Sequence, residues 1–134
     1  MTTVLLVDDE PETLAAWEVC CENDGYEVRA AGDGQEALDV LTESPVDIVV
    51  ADWRMPRMSG SALCRHIRNS PGLAGTIFIL VSGEPSPPAF VQYDGFLRKP
   101  IDVPILLATM RRLLAEHAAE CAATRGHDLT HQRR

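Results

Sequence analysis

Solid apolar runs alternate along this chain with stretches that are apolar on one side only. Val4 to Val7 is apolar at every position and stops at Asp8, Asp9, Glu10 and Pro11. That is the mark of a strand buried on both faces, handing over to a helix with proline in its first turn. Leu14, Trp17 and Cys21 then recur at helical spacing until Asn23, Asp24 and Gly25 end the helix. The unit repeats. Tyr26 to Ala31 reads as strand, Gly34 to Glu43 as a helix with Ala37, Leu38 and Leu41 on one face, and Asp47 to Asp52 as strand. After a loop carrying Arg54 to Met58 comes a helix from about Ser59 to Asn69, with Leu63 and Ile67 inward, and Thr76 to Val81 is a further apolar strand.

Phe96 and Leu97 form a short last strand, and Val103 opens a helix whose Ile105, Leu106, Thr109, Leu113 and Leu114 are expected to face the sheet. Helices alternating with wholly apolar strands imply a parallel sheet covered on both sides, here an α/β, doubly wound, five-strand arrangement. The domain is expected to span residues 1–118. From about Ala119 the sequence turns small and polar, and residues 119–134 read as a frayed helix end and a mobile tail.

Composition changes this picture little. The 134 residues suit one domain, and 46% hydrophobic with 24% charged residues suits a chain that folds. A net charge of -8 argues against direct nucleic-acid binding, which needs clustered Lys and Arg. No apolar run is long enough to span a bilayer, and no basic segment of a secretory signal follows Met1, so a cytoplasmic protein without membrane insertion is expected. Cys20, Cys21, Cys64 and Cys121 lack C-x-x-C spacing, and His66, His117, His127 and His131 lack metal-ligand spacing. Reduced thiols and solvated histidines are the expectation.

Charge matters more where it gathers. In open parallel sheets, ligands bind beyond the carboxyl ends of the strands, near the point where strand order reverses. Asp8 and Asp9 follow the first strand, Asp52 ends the third, Ser82 ends the fourth and Lys99 follows the fifth. Acids brought together there repel unless a cation neutralises them. An oxygen-only cluster suits Mg²⁺ or Mn²⁺, and Lys99 and Ser82 are groups that could hold further oxygens of a phosphoryl group. A capping role for Asp52 fits poorly, because "WRMPRMSG" is loop until Ser59.

The strings "VLLVDDEPE", "DIVVADWRMPRMSG", "IFILVSG" and "FLRKP", in this order, resemble the receiver domains of two-component response regulators from about residue 4 to 117. The resemblance implies a flavodoxin-like receiver fold with Asp52 as phosphoacceptor. It implies Asp9 as a direct Mg²⁺ ligand, Asp8 as a ligand through water, and the backbone carbonyl of Arg54 as another. Lys99 and the metal would stabilise the transferring oxygens, and Ser82 and Phe96 would act as switch residues. Arg54 and Glu84 would flank the approach of water and so modulate phosphoryl lifetime. The Lys99–Pro100 bond is expected to be cis. The expected donor is a histidine kinase or a histidine phosphotransfer protein of a bacterial phosphorelay, the downstream protein is unidentified, and the state is monomer or weak dimer. Conventional enzymatic turnover is not expected, only self-catalysed phosphotransfer and autodephosphorylation.

The chain departs from that pattern in one place. Thirteen residues, "GEPSPPAFVQYDG", separate Ser82 from Phe96 and include Pro85, Pro87 and Pro88. Proline is tolerated only in a helix's first turn, so at most a short turn from about Pro88 to Tyr93 can be helical, and the fourth helix is expected to be truncated or absent. A haloacid-dehalogenase-like phosphohydrolase is disfavoured, because Arg54 stands where that family places a second aspartate. A phosphorylation-independent adaptor with this fold, and the receiver portion of a longer regulator, remain as alternatives.

Overall fold

In a computed structural model of the chain, residues 1–84, 89 and 91–132 are described, the last twelve as backbone only. Five parallel strands, β1 (Thr3–Val7), β2 (Glu27–Ala31), β3 (Ile48–Asp52), β4 (Ile77–Ser82) and β5 (Gly95–Arg98), lie in the order β2-β1-β3-β4-β5. Every strand edge between β1 and β4 is paired, so the apolar runs are buried from both sides. Strand order reverses between β1 and β3, which sets their carboxyl ends side by side at a topological switch point.

Alternation along each strand feeds two cores. On one side Leu5, Val7, Val49, Ala51, Phe78 and Leu80 meet α2 (Gly34–Glu43) and α3 (Gly60–Arg68), through Ala37, Leu38, Leu41, Leu63 and Ile67. On the other, Val4, Leu6, Ile48, Val50, Ile79 and Val81 meet α1 (Pro11–Asn23) and α4 (Val103–Gln132), through Trp17, Cys21, Leu106, Met110 and Leu113. The cysteines behave as small core residues: burial pushes the Cys21 thiol up to about 12 and Cys64 to about 11.

One expectation for α4 needs correction. Ile105 is not inward but 54% exposed, while Met110 is fully buried. The buried face runs Leu106, Met110, Leu113, the i, i+4, i+7 stripe of a helix, and Ile105 lies on the wrong side of it. The helix runs from Val103 to Gln132. Ala118 and Ala119 suit it, since alanine is the best helix former.

Among the described residues no helix lies between β4 and β5, in keeping with the proline-rich sequence there. Pro85, Ser86, Pro87, Pro88 and Phe90 themselves lie outside the described residues. Among those described, no helix is long and apolar enough to cross a membrane.

Candidate functional site

Each acid arrives at the sheet's carboxyl edge for a local reason. β1 ends at Val7, and Asp8 turns into α1 with its Oδ1 accepting the Glu10 N–H at 2.8 Å. Pro11, at the helix start, has no N–H to satisfy. β3 carries Asp52 as its last residue, and the chain then leaves the sheet: the Trp53 N–H donates to the Val81 carbonyl at 2.7 Å. Gly60 returns the loop to the strand, its N–H donating to the Trp53 carbonyl at 2.8 Å. Any side chain at Gly60 would come within 2.3 Å of the Asp52 carbonyl oxygen, which is why the residue after Ser59 must be glycine.

Asp8, Asp9 and Asp52 each offer an oxygen within 4.8 Å of the other two, with Asp8 and Asp52 buried and Asp9 exposed. Lys99, delivered by the cis Lys99–Pro100 turn after β5, reaches into them. Its Nζ lies 3.1 Å from Asp8 Oδ2, 3.3 Å from Asp52 Oδ2 and 3.9 Å from Glu10 Oε1. One cation therefore faces several carboxylates, and the balance remains negative. Burial raises the Asp52 pKa, Lys99 opposes that, and the neighbouring charges of Asp8 and Asp9 reinforce it. For Lys99, burial works against the charged form, but the hydrogen bond to Asp8 and the charge of Asp52 outweigh it and leave the ammonium above its ordinary value. An all-oxygen set with unneutralised charge fits a hard divalent ion.

Ser82 and Glu84 complete the rim. Ser82 lies one residue beyond Val81, the register partner of Asp52, and is 2% exposed, its Oγ accepting the Glu84 N–H at 2.9 Å. Arg54 turns its side chain away from the acids onto Glu84 and stacks over the Trp53 ring at 5.2 Å from the centroid. Phe96 is half-buried against the α2/α3 core with its ring 5.9 Å from Tyr93. The structure thus gathers Asp8, Asp9, Asp52 and Lys99 directly, sets Ser82, Arg54 and Glu84 around them, and leaves Phe96 on the neighbouring strand.

Sequence reasoning overlooked a pair beside the site. Arg57 donates to Asp33, the N-cap of α2, tying the loop after β3 back to the start of that earlier helix. The D-x-x-E spacing of Asp33 and Glu36 is a capping signal that could have marked the acceptor. Nothing in the sequence marks Arg57 as its partner.

This arrangement has counterparts. A family model described as "Response regulator receiver domain" matches residues 4–111. Response regulator MprA of Mycobacterium bovis (strain BCG / Pasteur 1173P2) is 36% identical over 135 residues, covering 95% of this chain and 58% of that protein. Sensor kinase CckA of Brucella abortus (strain 2308) is 37% identical over 121 residues, covering 84% of this chain and 12% of that protein. The solved chemotaxis response regulator CheY4 of Vibrio cholerae aligns with a TM-score of 0.78 at 31% identity, covering 84% of this chain and 98% of that one. The chain therefore spans only part of the curated proteins it matches, a little over half of the regulator's length.

Proposed function

The chain belongs to the response regulator receiver domain family, and from that premise we propose that it is a Mg²⁺-dependent switch or relay phosphorylated on Asp52. The observation that carries the proposal is the buried Asp52 carboxylate with Lys99 Nζ at 3.3 Å and two further acids close enough to share a cation.

Asp52 is the nucleophile. One of its oxygens attacks the phosphorus of a phosphohistidine on a histidine kinase or histidine phosphotransfer protein, and the P–N bond breaks as the P–O bond forms. Asp8, Asp9, Asp52 and the Arg54 carbonyl would hold Mg²⁺, or Mn²⁺, which when bound supplies positive charge to the phosphoryl oxygens. Lys99 stabilises the same oxygens from the protein's side. Attack by water later returns Asp52 and releases phosphate, so the chain is consumed and regenerated rather than turning over a separate substrate. Ser82 and Phe96 are the elements that respond to the new charge, Ser82 by offering its hydroxyl and Phe96 by repacking on β5. The same reading keeps the chain in the cytoplasm with its phosphodonor.

A second reading follows from the connection between β4 and β5. With no helix there among the described residues, output through the face that such a helix would help to build is disfavoured. A partner gripping another face, such as α1, takes its place. Loss of partner binding on mutating α1 but not residues 85–93 supports this, and the reverse result refutes it.

The test of the main reading is intact-mass spectrometry after incubation with a small-molecule phosphodonor and Mg²⁺, beside Asp52→Asn and a metal-free control. One phosphoryl adduct that requires both Asp52 and Mg²⁺ is expected. No adduct, together with no binding of beryllofluoride, would favour a phosphorylation-independent adaptor.

A further inference from the structure

The loop between β3 and α3 contains a backbone conformation that the site chemistry alone does not explain. Arg57 has a φ of 66°, and the Met58 N–H donates to the Pro56 carbonyl at 2.7 Å. A hydrogen bond closed over three residues around a positive φ is a rare, strained form of the γ-turn, and the residue at its centre here is neither glycine nor asparagine. Such backbone persists only where its surroundings over-determine it.

The surroundings do so from α2. The Arg57 guanidinium donates through Nε, at 2.9 Å, and through Nη2 to Oδ2 of Asp33. Asp33 is 4% exposed, and its other oxygen caps α2 by accepting the Glu36 N–H at 2.8 Å. That backbone bond first, and Arg57 second, hold its carboxyl below the ordinary range. Beside the pair, a Cβ on Gly34 would lie 2.7 Å from the Cβ of Met58, so the turn is pressed onto the start of α2. At its other end the loop is tied by Arg54 to Glu84. The peptide after Arg54 hangs between these two ties.

We propose that Arg57 is a positioning residue: through its pair with Asp33 it holds the loop so that the Arg54 carbonyl stands ready beside the three aspartates that take the cation. This rests on the reading of those acids as a Mg²⁺ site. The geometric requirement is the same as for any partner behind a metal ligand, which acts by fixing the ligand's direction.

The experiment is a calorimetric Mg²⁺ titration of the full chain in four variants and the wild type. Arg57→Gly accepts the positive φ without strain and deletes the guanidinium. Asp33→Asn keeps a capping side chain and deletes the charge. Both should raise the Mg²⁺ dissociation constant about tenfold, within the range found when partners behind metal ligands are removed. Arg57→Lys should recover part of the loss, and Asp33→Asn/Arg57→Gly should be no weaker than either single variant. An unchanged dissociation constant in Arg57→Gly, or additive losses in the double variant, would overturn the inference. A wild type that binds no Mg²⁺, or an Asp52→Asn variant that still gains a phosphoryl group, would instead overturn the reading beneath it.

Discussion

Arg54 places both Nε, at 2.9 Å, and Nη2, at 2.8 Å, on the single oxygen Oε1 of Glu84. The pair joins the residue two past Asp52 to the residue two past Ser82, bridging the ends of adjacent strands β3 and β4 beside the carboxylate. Both side chains are well exposed, at 70% and 45%, so its contribution to stability is small, within about 1 kcal/mol. Its expected effect is on the path of water. Arg54→Ala and Glu84→Ala should each shorten the phosphoryl lifetime severalfold, with no further loss in the double variant. Following the adduct's decay by mass spectrometry checks this, and an unchanged lifetime in Arg54→Ala defeats it.

The environment of Asp52 also predicts a pH dependence. Its folded pKa lies above the ordinary 3.8, chiefly because it is buried, so the folded chain binds this proton more tightly than the unfolded one. Ionisation therefore costs stability, and that cost is full above the folded pKa and vanishes as the pH falls below 3.8. In metal-free buffer Asp52→Asn should melt at a higher temperature than the wild type at neutral pH, with the difference closing on acidification. Added Mg²⁺ should raise the melting temperature of the wild type more than that of the variant, because binding to the folded state alone stabilises it.

Why so much of this site could be read in advance is visible in the residues. Val4 to Val7 and Ile48 to Ala51 are apolar at every position because both faces of those strands are covered, and a strand of that kind ends abruptly at its first charge. The charges that end them, Asp8 and Asp52, are two of the three acids that gather at that edge. Arg57 could not be read in the same way. Its partner Asp33 lies 24 residues away, and no local periodicity encodes a contact made across two loops. Ile105 and Met110 failed for another reason: they lie on different sides of a helix whose first turns are apolar nearly all round, and only the packed helix decides which side turns inward.

Arg68 was equally hidden, and it closes the edge that has no described helix. At the end of α3 its guanidinium donates to the carbonyls of Ala74, Thr76 and Gln92, and to Asp94, whose carboxylate also accepts the Phe78 N–H. The side chain is only 14% exposed. Removing it leaves several acceptors and one carboxylate short of donors, so Arg68→Ala should lose about 2–4 kcal/mol. Urea denaturation checks this: the midpoint should fall with the slope unchanged.

Gly60 offers a sharper test of how the fold aims Asp52. In an ordinary helix, replacing glycine by alanine gains about 0.5–1 kcal/mol. Here the added carbon would meet the backbone carbonyl of Asp52 at 2.3 Å and Leu80 Cδ1 at 3.0 Å. The leucine tip could give way, but the carbonyl cannot move without moving the backbone that carries the Asp52 carboxylate. The gain should therefore be reversed into a net loss of about 1–3 kcal/mol from overpacking. Phosphoryl uptake should fall further than stability does, since a misplacement of about 1 Å can cost about 100-fold in rate. Gly72→Ala, where nothing lies within 4 Å of the new carbon, is the control and should phosphorylate normally. Should Gly60→Ala fold and take up phosphate at the wild-type rate, the close approach of α3 to the end of β3 would not be what aims Asp52.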